Sequence, residues 1–258
     1  MKKSILTKVL LTTVSFIILF STAITSSADS CLHWYIKRRV GVPPVFPKEA
    51  EIIDNLGAYY LDKSAAQNGE KRLYITFDAG YENGNVEKIL DILKAENVSA
   101  SFFLLDNIIL KNTDLVIRMA DEGHLVCNHT RNHKNLSFAN KEEIYKNILS
   151  LEDIYREKTG REMAKYFRFP EGAYSLDAIK CVNEIGYKTV FWSFAYDDWD
   201  NSRQPDKEAA IKKVLDGTHN GAIMLFHPTS NTNAEIFQTL ISEWKKMGYS
   251  FSTLDSLK

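Results

Sequence analysis

Cysteine is scarce in this chain, with three residues at Cys31, Cys127 and Cys181, no Cys-x-x-Cys pair and no even set. A disulfide framework and a thiolate zinc site are therefore not expected. Cys31 follows Ala28, Asp29 and Ser30, a poor context for lipoprotein cleavage, and all three cysteines read as structural. Net charge is small too, because thirty-two Lys and Arg nearly cancel thirty-three Asp and Glu, leaving minus one over 258 residues. That removes the electrostatic case for nucleic-acid binding. No glycine-rich phosphate fingerprint follows any apolar run, which argues against a nucleotide-binding sheet.

The longest apolar run is confined to the N-terminus. Lys2, Lys3 and Lys8 precede Val9 to Phe20, and small residues follow at Ala23, Ser26 and Ala28, the order of a secretory signal. Ser21 to Ile24 can lengthen the run toward an uncleaved membrane anchor. Either version exports the body of the chain, so residues 1–30 are set apart from the fold. The remainder has the composition of an ordinary globular protein, 45% hydrophobic and 25% charged overall, long enough for one large core. Residues 31–70 carry Pro43, Pro44 and Pro47 among mixed polar residues and read as an irregular lead-in or cap.

From there, short apolar runs recur at Leu73–Phe77, Ala100–Leu105, Leu125–Cys127, Tyr166–Phe169, Lys188–Phe194, Ala222–Phe226 and Tyr249–Phe251, seven candidate strands. Helical spacing lies between them. In Asn140–Thr159, Ile144, Ile148, Leu151 and Ile154 share a face, and Asn140 with Glu143 forms a candidate capping box. Asn85–Glu96, Ser175–Ile185, Asp206–Leu215 and Ala234–Met247 read likewise, with Pro205 opening the fourth. Strands alternating with helices imply a mostly parallel sheet with right-handed crossovers. Seven or so repeats favour a distorted (β/α)7 barrel occupying 71–258, and an open doubly wound sheet is the alternative.

In such folds chemistry collects where strands end. Asp78 follows the first strand, His129 and His133 the third, Arg168 sits in the fourth, Asp198 follows the fifth and His227 ends the sixth. Each has a plain reading as well. Histidines four apart can share one side of a helical turn, but the spacing alone is weak evidence. His227 can be a hydrogen-bonded core histidine, the aspartates can be turn residues, and Arg168 can be a structural partner of either.

Five ordered motifs weigh against the plain readings. They are Thr76-Phe77-Asp78-Ala79-Gly80, His129-Thr130-Arg131-Asn132-His133, Arg168-Phe169-Pro170-Glu171-Gly172, Asp198-Trp199 and Leu225-Phe226-His227. The set resembles the polysaccharide deacetylases with the NodB-type domain. The longer strings Thr76–Gly84 and Trp192–Trp199 are more similar to the muramic acid deacetylases of spore-forming bacteria than to chitin deacetylases.

The resemblance implies a metal-dependent amide hydrolase acting on the N-acetylated sugars of peptidoglycan strands. His129 and His133 would hold a divalent metal, zinc by ligand type. Asp78 would be the general base and His227 the general acid. Arg168 would keep Asp78 ionised, and Asp198 would favour protonated His227. Trp199 and Leu225 would wall the acetyl pocket, although large apolar residues are more often plain core, and the amide of Glu171 would help hold the oxyanion. The chain departs from the family at Ala79, where a second, metal-binding aspartate is usual, and at Glu171, where tyrosine is more typical. Loss of that carboxylate leaves room for the acidic lactyl group of muramic acid. An N-acetylglucosamine or chitooligosaccharide deacetylase and a glycan-binding pseudoenzyme remain alternatives.

Overall fold

The computed structural model describes residues 30–257, so the candidate export signal lies outside the described residues except for Ser30. Nine strands, nine α-helices and two short 3-10 helices are found among those residues. The lead-in contributes β1 (Leu32–His33), α1 (Ala50–Asn55) and α2 (Lys63–Asn68). Then come β2 (Arg72–Ala79), α3 (Asn85–Ala95), β3 (Ser101–Leu104), α4 (Asp106–Lys111), α5 (Thr113–Asp121), β4 (Leu125–Asn128) and α6 (Lys141–Thr159). The chain continues through β5 (Tyr166–Phe167), β6 (Ala173–Tyr174), α7 (Leu176–Glu184), β7 (Lys188–Thr189), α8 (Lys207–Asp216), β8 (Ala222–Phe226), α9 (Asn231–Lys246) and β9 (Ser250–Phe251).

The parallel strands run in the order β7-β5-β4-β3-β2-β8, with β9 paired to the start of β2. The chain beyond β7 then returns to β8, where Ser193 N–H donates to Ile223 O (2.9 Å) and Leu225 N–H to Phe194 O (2.8 Å). These bonds and the parallel Phe194–Met224 bridge draw the curled sheet into the expected distorted barrel. Strand alternation assigns the faces. Leu73, Ile75, Phe77 and Ala79 join the large core under the helices, with Phe102, Phe226, Phe237 and Trp244. Tyr74 turns the other way, into a smaller core with Phe103, Cys127, Val190 and Ile223.

Side-chain caps fix several helix starts, each a contribution of about 1 kcal/mol. Asn140 Oδ1 accepts from Glu143 N (2.9 Å), Ser175 Oγ from Ala178 N (3.1 Å), Asp206 Oδ1 from Ala209 N (3.0 Å) and Ser230 Oγ from Asn233 N (3.1 Å). The reciprocal half of the expected capping box is not made, because the Glu143 carboxylate turns to Lys134 instead. The lead-in is also more ordered than its prolines suggest. β1 pairs antiparallel with β6, and Trp34, Ile53 and Tyr60 are buried in a core shared with Phe167, Phe169, Tyr174 and Phe191. No helix among the described residues is long and apolar enough to cross a membrane.

Candidate active site

Asp78 sits near the C-terminal end of β2, on the inward side of the strand. Arg168 follows β5, and its backbone N–H donates to Asn128 O (3.0 Å), extending the ladder with β4. Its guanidinium is fully buried, with 0% of the side chain exposed, over the Phe103 ring. It donates to Asp78 Oδ1 (2.7 Å), Thr76 Oγ1 (2.9 Å), Val190 O (3.1 Å) and Phe191 O (3.3 Å). A buried cation demands this degree of pairing. Burial pushes the Asp78 carboxyl up, but Arg168, His129 and His227 together outweigh it and hold the group below the usual carboxylate range.

His129 and His133 follow β4. They do not share a helical turn, as their spacing allowed; the segment is a loop in which Thr130 (φ 69°) and His133 (φ 59°) are left-handed. The fold still brings the imidazoles to a centroid separation of 5.1 Å. His129 Nδ1 lies 2.9 Å from Arg168 O. A carbonyl can only accept, so Nδ1 carries the proton and Nε2 keeps its lone pair. Burial drives the ring down to about 4 against the opposing pull of Asp78, so His129 is neutral near pH 7. A neutral imidazole oriented by a carbonyl has the chemistry of a metal ligand, and His129 with the neighbouring His133 ring fits part of a divalent-cation site. Among the described residues no group of three or more His, Cys, Asp or Glu side chains could hold a metal ion. Ala79, at the position of the family's second aspartate, is buried in the outer core and does not line the cavity.

His227 follows β8, and its partner Asp198 lies in the loop beyond β7. Asp198 Oδ1 faces His227 Nδ1 (2.7 Å), while Oδ2 accepts from His227 N (2.8 Å) and Asn233 Nδ2 (2.6 Å). Burial lowers the His227 imidazole, but Asp198 and then Asp78 raise it by more, leaving it above the ordinary histidine value. Asp198 is 1% exposed and His227 is 27% exposed, so one anchors and the other reaches the cavity.

Asn233 was not among the residues singled out in the sequence. It is fully buried near the start of α9, donates also to His227 O (3.1 Å), and accepts from the Tyr196 hydroxyl. Its only sequence signal is a position three residues after a capping serine. Thr76 was also passed over, although its hydroxyl braces Arg168 while donating to Met224 O (2.8 Å).

A cavity of about 660 Å³ collects these groups. Asp78, His129, His133, Glu171, Trp199, Leu225 and His227 line it, with Phe169, Trp192, Tyr196 and Asp197. Arg168 and Asp198 stand behind Asp78 and His227 rather than in the lining. Glu171 lies in a tight turn at φ 59°. Leu225 is buried, whereas Trp199 is 61% exposed.

Parallel strands ending in a carboxylate, two adjacent imidazoles and a carboxylate-supported histidine define a candidate hydrolase site in an α/β barrel. Known proteins agree with this class. A family model described as polysaccharide deacetylase matches residues 65–190. The chain is 36% identical over 228 residues to the peptidoglycan-N-acetylmuramic acid deacetylase PdaA of Bacillus subtilis, covering 88% of this chain and 85% of that protein. It is 35% identical over 196 residues to a peptidoglycan-N-acetylglucosamine deacetylase of Bacillus cereus, covering 74% and 89%. The solved structure of Bacillus subtilis PdaA, a family 4 carbohydrate esterase, superposes with a TM-score of 0.83 at 35% identity, covering 89% of this chain and 97% of that one. The chain belongs to the polysaccharide deacetylase family, whose members are hydrolases and generally metal-dependent.

Proposed function

We propose that this chain is an exported peptidoglycan deacetylase that hydrolyses the N-acetyl group of N-acetylmuramic acid in glycan strands. Residues 71–258 form its catalytic domain, 31–70 support it, and 1–30 are the export signal or membrane anchor. The reading rests above all on one feature: a carboxylate kept below its ordinary pKa range and an imidazole kept above its ordinary value line the same cavity.

Amide hydrolysis needs activated water, a stabilised oxyanion and a protonated leaving nitrogen. Asp78, kept ionised and aimed by Arg168, takes the proton from the attacking water. His227 offers Nε2–H to the departing amine, while its Nδ1–H stays bound to Asp198. The Glu171 backbone N–H, carried on a left-handed turn, donates to the oxyanion. Trp199 and Leu225 flank the acetyl methyl. His129 and His133 would hold a divalent metal, zinc by ligand type, which when bound supplies Lewis-acid polarisation of the acetyl carbonyl.

The muramic acid preference rests on the likeness to PdaA; Ala79 faces the outer core rather than the cavity, so the missing carboxylate does not itself make room beside the substrate. The freed amine can then close on the lactyl carboxyl with loss of water, giving the muramic δ-lactam of spore cortex. Similarity to the Bacillus cereus enzyme favours a second reading, N-acetylglucosamine deacetylation in peptidoglycan or chitooligosaccharides. Acetate release from denuded glycan, intact peptidoglycan and chitin oligomers, with and without chelator, tests both. Faster release from chitin oligomers would contradict the muramic acid assignment, and no release from any of them would leave a glycan-binding pseudoenzyme.

A further inference from the structure

The lead-in carries a cationic hairpin that the candidate active site does not use. Lys37 and Val45 close its base with two backbone hydrogen bonds of 2.9 Å each, and Gly41 N–H donates to Asp216 O (2.9 Å), tying the bend to the end of α8. Base and bend are both held, yet every residue from Lys37 to Val42 is exposed. Val40 is 74% and Val45 51% exposed. Lys37, Arg38, Arg39 and Lys213 make no ion pair among the described residues, and Lys212 pairs only with Asp216 within α8. Between hairpin and helix runs a groove of about 370 Å³ lined by Arg38, Arg39, Val40, Lys212 and Lys213, with Asp216 its one acidic residue, paired to Lys212.

A soluble polyanion would satisfy the cations and leave the valines wet. An anionic bilayer surface takes both, with phosphates meeting the cations and Val40 and Val42 entering the headgroup boundary. An N-terminal run retained as an anchor would hold the hairpin within reach of such a surface. The apolar run ends at Phe20, and residues 21–31 span at most about 40 Å when extended.

We infer that the 37–45 hairpin, with the C-terminal turn of α8, docks on anionic phospholipid and orients the domain at the membrane face. The groove receives a lipid phosphate, and each unpaired cation strengthens partitioning roughly fivefold. The docking does not depend on which sugar the cavity takes.

Millisecond hydrogen exchange read by mass spectrometry on the full chain tests this, because the readout is local to the hairpin even if the N-terminal run also binds lipid. The amides of Arg38, Arg39 and Val40 have no acceptor among the described residues. On phosphatidylglycerol vesicles they are expected to exchange at least about tenfold more slowly, with the effect removed by high salt and absent on phosphatidylcholine. Arg38→Glu combined with Arg39→Glu should abolish the slowing, and Val40→Ser should weaken it. Unchanged exchange on phosphatidylglycerol would overturn the proposal. So would equal slowing by soluble poly(glycerol phosphate) with no effect of Val40→Ser, an outcome that assigns the hairpin to a polyanion.

Discussion

Asp198→Asn is the most informative single change, because the structure specifies how the amide must fail. Asp198 Oδ1 receives His227 Nδ1, while Oδ2 receives two N–H donors, from His227 and Asn233. An asparagine has one acceptor to offer. With its oxygen toward His227 Nδ1, its NH2 faces two donors and leaves buried N–H groups unpaired, at about 1–3 kcal/mol each. With the amide flipped, its NH2 donates to Nδ1, which fixes the neutral tautomer with its proton on Nε2 and disfavours the imidazolium that serves as the acid. Neither state keeps a stable acid at the cavity, so turnover should fall by roughly 10²–10⁴-fold. The pH profile separates this from general damage. Asp198 is the leading cause holding His227 above its ordinary value, so activity that needs protonated His227 falls as pH rises through that raised pKa. In Asp198→Asn the falling limb should move to lower pH. Acetate release measured across pH 5–9, with thermal unfolding as a control, reads both effects. Turnover within about threefold of the parent, with the limb unmoved, would refute the assigned pairing.

His227→Ala should lower turnover by roughly 10²-fold or more with the fold retained, as circular dichroism can check. Asp78→Asn should do the same but also cost about 3–5 kcal/mol of stability, since it leaves the buried Arg168 guanidinium without its counter-charge; denaturant unfolding measures that cost. With two imidazole ligands, metal retention should be weak, so a chelator should abolish activity and added zinc restore it. In competition with a chromogenic chelator His129→Ala should lose affinity, and unchanged affinity would remove the basis for the site. His124 is buried and pushed by burial down to about 4, with Nδ1 accepting from Ala100 N. The unfolded chain therefore binds a proton that the native state does not, and stability should fall as pH drops from about 6.5 to 4, by up to roughly 3 kcal/mol from this residue. His124→Gln should flatten that part of the stability profile. Gly221→Ala places a methyl 2.2 Å from Asp62 O at φ +74° and should lower the melting temperature by several degrees.

The parallel strands were legible because each is a short apolar run between helical segments, and all seven candidate runs overlap an observed strand. α4 was missed for a physical reason, since its start has no side-chain cap and Ile108, Ile109 and Leu110 form a run with no amphipathic period. α5 was missed although Val116 and Met119 mark a buried face along it. The lead-in's order was hidden because it comes from long-range partners, with Trp34 N–H donating to Gly172 O and β1 pairing with β6. At the site, the ordered motifs pointed to residues that converge on or directly behind one cavity. The backbone of the histidine motif was not legible, since a spacing of four does not distinguish a helical turn from a loop with left-handed residues. Asn233 was illegible because its role depends on Asp198 and Tyr196, both far away in sequence.

The central assignment is tested most directly by mass spectrometry of digested glycan after incubation of denuded peptidoglycan with the purified full chain. Loss of one acetyl group at muramic acid residues, absent in His227→Ala, is the expected result, with conversion of part of that product to δ-lactam. Loss of acetyl from glucosamine residues alone, or an acetylation pattern unchanged from the untreated glycan, would contradict it.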